Sequence, residues 1–66
     1  MEQHPTLLRL TDVKSRTGLG KTKIYELMGE GDFPKPVKIG PLSLWVESEV
    51  EAWITAIIES RDSAEA

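Results

Sequence analysis

Four residues near the middle of the chain concentrate its hydrogen-bond donors. Lys21, Thr22, Lys23 and Tyr25 set two ammonium groups and two hydroxyls around Ile24, and Ile24, Leu27 and Met28 fall at i, i+3 and i+4. That spacing predicts a helix from about Lys21 to Glu30, with Ile24 at the centre of its buried face. Thr22, Glu26 and Gly29 then point outward, and Lys23 and Tyr25 stand on the two shoulders. The donors therefore gather on the exposed N-terminal half. Lysines donate to phosphates or guanine edges, and threonine and tyrosine hydroxyls donate to phosphates. Two simpler readings stand beside this one. The lysines also suit an ordinary solvated face, and Tyr25 also suits packing on a preceding helix with only its hydroxyl free. Glu26 is the awkward member beside phosphates, unless it accepts from a cytosine amino group.

Other chemistries find little support. The chain has no cysteine, which removes a thiol nucleophile, a disulfide framework and a cysteine zinc site together. His4 is the one histidine and lies next to Pro5, so it reads as a lone surface residue and not a metal ligand. Glu47, Glu49 and Glu51 could be paired carboxylates, but acidic residues at the start of a helix are explained by its dipole. Gly20-Lys21-Thr22 resembles the end of a phosphate-binding loop. The full motif needs glycine five residues before Gly20, where this chain has Ser15, and a preceding buried strand. No catalysis, cofactor, metal or small-molecule substrate is expected.

Size and charge narrow the choice further. At 66 residues and 7.4 kDa there is room for one domain. A chain this short buries only about 60% of the surface its unfolded form exposes, so a deep substrate cavity would compete with the core. The net charge is −3, but it is unevenly spread. Residues 1–40 carry seven basic side chains, among them Arg16, Lys35 and Lys38, and sum to +2; residues 41–66 sum to −5. Phosphate contacts need local positive charge and not a positive total. No apolar run reaches the length of a membrane span, and no secretory signal is visible, so a cytoplasmic location is expected.

The surrounding elements must hold the donor cluster in place. Residues 1–6 read as a flexible lead, 7–61 as the domain and 62–66 as a frayed tail. Thr11 is the expected N-cap of a short first helix over about 12–17, closed by Gly18. Phe33-Pro34-Lys35-Pro36 is extended. Val37-Lys38-Ile39 and Leu44-Trp45-Val46 read as the strands of a hairpin, with Gly40-Pro41-Leu42-Ser43 as its turn. Trp45 faces outward if Leu44 and Val46 face inward, and packs in the opposite register. Ser48 reads as the cap of a last helix, with Glu51 at capping-box spacing. Val50, Trp53, Ile54, Ile57 and Ile58 form its apolar stripe, which is either wholly internal or spills at Ile58 into a dimer contact.

Two helices joined by a tight Gly-Leu-Gly turn, then a hairpin and a packing helix, make a winged helix-turn-helix: mainly α with a small β-hairpin. A major groove about 12 Å wide admits one helix, and the turn projects the N-terminal part of the second helix toward it. Leu7–Leu10, Thr17–Leu19, Thr22–Met28, Gly31–Gly40 and Trp45–Ile54 also resemble the AlpA-type phage and prophage regulators of the excisionase and MerR-like group. The resemblance covers about residues 7–61, and its most specific part is Phe33–Gly40 together with Glu47–Ile54. It implies a bacterial or prophage DNA-binding regulator that controls transcription or directs an integrase toward excision. There are two departures. Gly20 stands where members carry Ser or Thr, and Leu42 stands where the wing carries a basic residue in a turn one residue longer.

The expected interface places helix 21–30 in the major groove and the wing, 37–46, beside it. Lys21, Thr22 and Lys23 meet bases or phosphates, while Arg16, Tyr25, Lys35 and Lys38 meet the backbone. The partner is double-stranded DNA, with self-association on repeated sites or an integrase as further partners. The alternative is a protein-interaction module that recruits an integrase or repressor through the acidic last helix, Leu42 and Trp45.

Overall fold

The computed structural model describes residues 6–64, and side chains as far as residue 63. It is mostly helical with a small antiparallel sheet, in the order β1 (Leu7–Leu8), α1 (Leu10–Thr17), α2 (Lys21–Gly29), β2 (Val37–Ile39), β3 (Leu42–Val46) and α3 (Glu47–Ala64). This is the architecture expected for a winged helix-turn-helix. His4 and most of the N-terminal lead lie outside the described residues, as do the last two residues of the tail.

The first helix starts earlier than its sequence suggests. Arg9 is the extended residue before it, and the Arg9 backbone N–H donates to Asp12 Oδ2 at 3.2 Å. Asp12 thus reaches back to an otherwise unpaired donor. Thr11 lies inside the helix and does not cap it, because Leu10 is drawn into the first turn by packing against the core. The end follows expectation. Gly18 has φ 76°, and its N–H donates to the Lys14 carbonyl at 2.8 Å. A side chain at that left-handed position would cost roughly 1–2 kcal/mol.

Strand β3 is the centre of the sheet, in the order β1-β3-β2. Strand β1 is only two residues long and carries no local strand pattern. It pairs Leu7 with Val46 and Leu8 with Trp45. The hairpin is tighter than the expected four-residue turn: Ile39 faces Leu42 directly, so only Gly40 and Pro41 turn the chain, and Leu42 and Ser43 belong to β3. Gly40 has φ 57°. Glycine at the first of two turn residues suits the right-handed twist of a two-residue hairpin.

Trp45 is fully buried, so the inward register holds. Around it lie Leu8, Val13, Ile24, Phe33 and Val50, flanked by half-buried Leu10, Leu19, Leu27, Met28, Trp53 and Ile54. Complete burial of a side chain such as Ile24 or Val50 stabilises by about 1.5–3 kcal/mol. Phe33 meets Trp53 edge-on, with ring centroids 4.8 Å apart, and the Trp53 indole N–H donates to the Asp32 carbonyl. That contact ties the extended 33–36 segment to α3.

Helix α3 follows β3 without a break. Ser48 lies within its first turn and is not its cap, because the Glu47 N–H already donates to the Thr6 carbonyl at 2.8 Å. The helix also runs past Ser60 as far as Ala64. Its inner half packs through Val50, Trp53 and Ile54, whereas Ile57 and Ile58 are about half exposed. The stripe is therefore not wholly internal.

Candidate nucleic-acid interface

The turn Gly18-Leu19-Gly20 joins α1 to α2, and half-buried Leu19 anchors it to the core. Thr17 Oγ1 stiffens the same corner, donating to the Val13 carbonyl at 2.8 Å and accepting from the Leu19 N–H at 3.2 Å. Helix α2 begins at Lys21 with Gly20 as its N-cap, so no cap side chain covers its first turn. Ile24 is fully buried, while Lys21, Thr22, Lys23, Tyr25 and Glu26 are all exposed. The helix is closed by Glu30 and by Gly31 at φ 79°, with the Asp32 N–H donating to the Leu27 carbonyl at 2.8 Å.

The candidate cations are in different states. Lys21 and Lys35 are exposed and make no ion pair among the described residues. Lys23 Nζ lies 3.0 Å from Glu26 Oε1. The hydrogen bond to Glu26 raises the Lys23 pKa above its ordinary 10.5, helped by the charges of Glu26 and Glu30. Lys23 is therefore a full cation at neutral pH, already engaged with a carboxylate that a phosphate would have to displace. Lys38 Nζ donates to Ser43 Oγ at 2.7 Å, across the directly opposed pair Lys38 and Ser43 of the hairpin.

Arg16 stands apart from this group. Its guanidinium holds Glu47 at 2.9 Å and Glu51 at 3.0 Å, joining the end of α1 to the start of α3. The sequence offers Arg16 as a free cation because it cannot show that β3 delivers two carboxylates of α3 to the same place.

Tyr25 is 40% exposed and is not buried under α1. It lines a shallow recess with Arg9, Leu10 and Thr11 from the start of α1 and Pro41–Leu44 of the hairpin. The recess thus lies where the outward helix and the hairpin converge. Arg9 stands outside the set of donors expected at the interface from the sequence. Only the return of the hairpin past the start of α1 distinguishes it from any other surface arginine.

Taken together, the surface offers an uncapped helix start bearing lysines and a threonine, a hairpin lysine held across its strands, and a recess with an arginine at its edge. Such a surface can hold a polyanion whose charges are spaced along a groove. The profile of a family described as "Prophage CP4-57 regulatory protein (AlpA)" matches residues 6–58, which takes in every element from β1 through the first two thirds of α3. Over 55 residues the chain is 40% identical to "Uncharacterized protein ORF88" of Enterobacteria phage P4. That match covers 82% of this chain and 62% of the phage protein, less than two thirds of its length. No solved structure matches the chain significantly.

Proposed function

The chain belongs to the AlpA family of prophage regulatory proteins, and from that premise we propose that it regulates by binding duplex DNA, with α2 in the major groove and the β2–β3 hairpin as a wing. One observation carries the reading: α2 has its back sealed into the core by Ile24, while Lys21, Thr22 and Lys23 all face solvent. A helix fixed in this way presents its N-terminal donors to base edges and phosphates without further ordering. In this reading Lys21, Thr22 and Lys23 work in the groove, and Tyr25, Lys35 and Lys38 hold the backbone. Arg16 acts indirectly, by locking α1 to α3.

A single module of this size buries roughly 600–1,000 Å² on DNA, so one copy binds modestly and repeated sites favour several copies. Transcriptional control and direction of an integrase toward excision both use this one interface. An electrophoretic titration against random duplex and against DNA flanking the gene tests the proposal. Binding to both, tighter to the flanking DNA, is expected; absence of any shift at low salt would overturn it.

A second reading, recruitment of another protein such as an integrase, draws on a separate observation. The outer half of α3 carries Ile57 and Ile58 about half exposed, on a helix rich in acidic residues. Substituting Ile58→Ser should leave binding to a single site intact. The same substitution should lower cooperativity on repeated sites or capture of an integrase.

A further inference from the structure

We infer that the recess between α1, Tyr25 and the hairpin is a seat for one DNA backbone phosphate, with the Arg9 guanidinium as its anchor. The inference rests on the DNA-binding reading above and deepens it by naming a contact which that reading does not include.

The chemistry of the lining carries the argument. Around the recess stand one guanidinium, Arg9, and three hydroxyl residues, Thr11, Tyr25 and Ser43, and no carboxylate. Elsewhere the described cations are often engaged by acids: Arg16 by Glu47 and Glu51, Lys23 by Glu26, Arg61 by Asp62. Arg9 forms no ion pair among the described residues. Its neighbour Asp12 accepts from the Arg9 backbone N–H and so holds the helix start, while the side chain carries the charge. A guanidinium presents a rigid fork that matches two oxygens of one phosphate.

The hairpin supplies the other side. Lys38 donates to Ser43 Oγ at 2.7 Å. A hydroxyl that accepts from an ammonium still has its own O–H to donate. Lys38 therefore brings positive charge to the edge of the recess and turns Ser43 into a donor. A monoanion with several acceptor oxygens fits this combination of one fork, hydroxyl donors and a flanking ammonium. A carbonyl or amide ligand would leave the guanidinium without a counter-charge.

Position favours a phosphate of the duplex over a free anion. The recess is shared by Tyr25 of α2 and by the hairpin, the two elements assigned to the DNA surface. Where a helix lies in the major groove and a wing sits beside it, the strand between them passes this junction. The seat would fix the register of α2 in the groove without reading sequence.

The test compares Arg9→Ala, Arg9→Lys and Lys21→Ala in the full chain, titrated with random duplex at several salt concentrations. Arg9→Ala should weaken binding to all duplexes by about tenfold and lower the salt slope by about one unit. Arg9→Lys should recover the slope but only part of the affinity, because it keeps the charge and loses the fork. Equal melting temperatures should show that the fold is intact. At saturating duplex the Thr11 and Ser43 amide resonances should shift in the wild type and much less in Arg9→Ala, whereas the α2 amides should shift in both. If Lys21→Ala weakens binding and Arg9→Ala does not, DNA binding stands and the seat is overturned. If inorganic phosphate alone moves those amides and duplex does not, the occupant is a free anion and the inference fails. If the wild type binds no duplex, both readings fall.

Discussion

Replacing Ile24 by valine removes one methylene from a side chain that is fully buried at the back of α2. Such a deletion costs about 0.5–1.5 kcal/mol. A 66-residue domain has roughly 3–10 kcal/mol of stability in total, and each kcal/mol moves its midpoint by about 4–8 °C. Ile24→Val should therefore melt several degrees lower yet remain almost entirely folded at 25 °C, with its DNA affinity unchanged. Thr22→Ala, two positions earlier on the opposite face, should behave in the reverse way. Thr22 is exposed, and alanine is the better helix former, so the midpoint should hold or rise slightly. Loss of one hydroxyl contact should weaken DNA binding by about two- to tenfold. Scanning calorimetry and fluorescence anisotropy on the same three proteins check both halves. If Ile24→Val weakened binding without lowering the midpoint, or Thr22→Ala melted the fold while binding held, α2 would not turn Ile24 to the core and Thr22 to the DNA.

Arg16→Ala should lower stability by about 1 kcal/mol or less, because its bridges to Glu47 and Glu51 are partly solvated, and should leave the salt slope of DNA binding unchanged; denaturant melts and salt titrations separate the two effects. Trp45 is fully buried and its indole N–H finds no acceptor among the described residues. Trp45→Phe removes that unpaired donor, so it should cost far less than Trp45→Ala, for which about 3–5 kcal/mol is expected in urea melts. Gly40→Ala forces a side chain into φ 57° and should lose about 1–2 kcal/mol, with faster amide exchange in β2 and β3 as its mark. The Lys23–Glu26 pair raises the lysine pKa, so its support of α2 is complete at neutral pH and lost as pH climbs through a value above 10.5. Thermal melts of wild type and Glu26→Gln should converge only in that alkaline range.

The legible parts of the fold are those encoded by local spacing. Ile24, Leu27 and Met28 give α2 its buried face, and Gly18 ends α1 where a left-handed residue is needed. What escaped depends on residues far apart in the chain. Strand β1 is two residues long and exists because β3 offers Val46 and Trp45 as partners. The start of α3 moves ahead of Ser48 because the Thr6 carbonyl satisfies Glu47, and no local pattern announces that bond. In the hairpin, only the pairing of Ile39 with Leu42 shows that two residues make the turn. The same division runs through the candidate site. The outward face of α2 follows from helical periodicity. The Arg16 clamp and the Arg9 recess both require knowing which remote element comes alongside.

The most direct test of the central claim is the salt dependence of duplex binding by the wild-type chain. Contacts from Lys21, Lys23, Lys35 and Lys38, with or without Arg9, predict a log–log slope between about −3 and −5. A slope near zero, or binding that survives high salt undiminished, would contradict a protein that grips the DNA backbone through α2 and its wing.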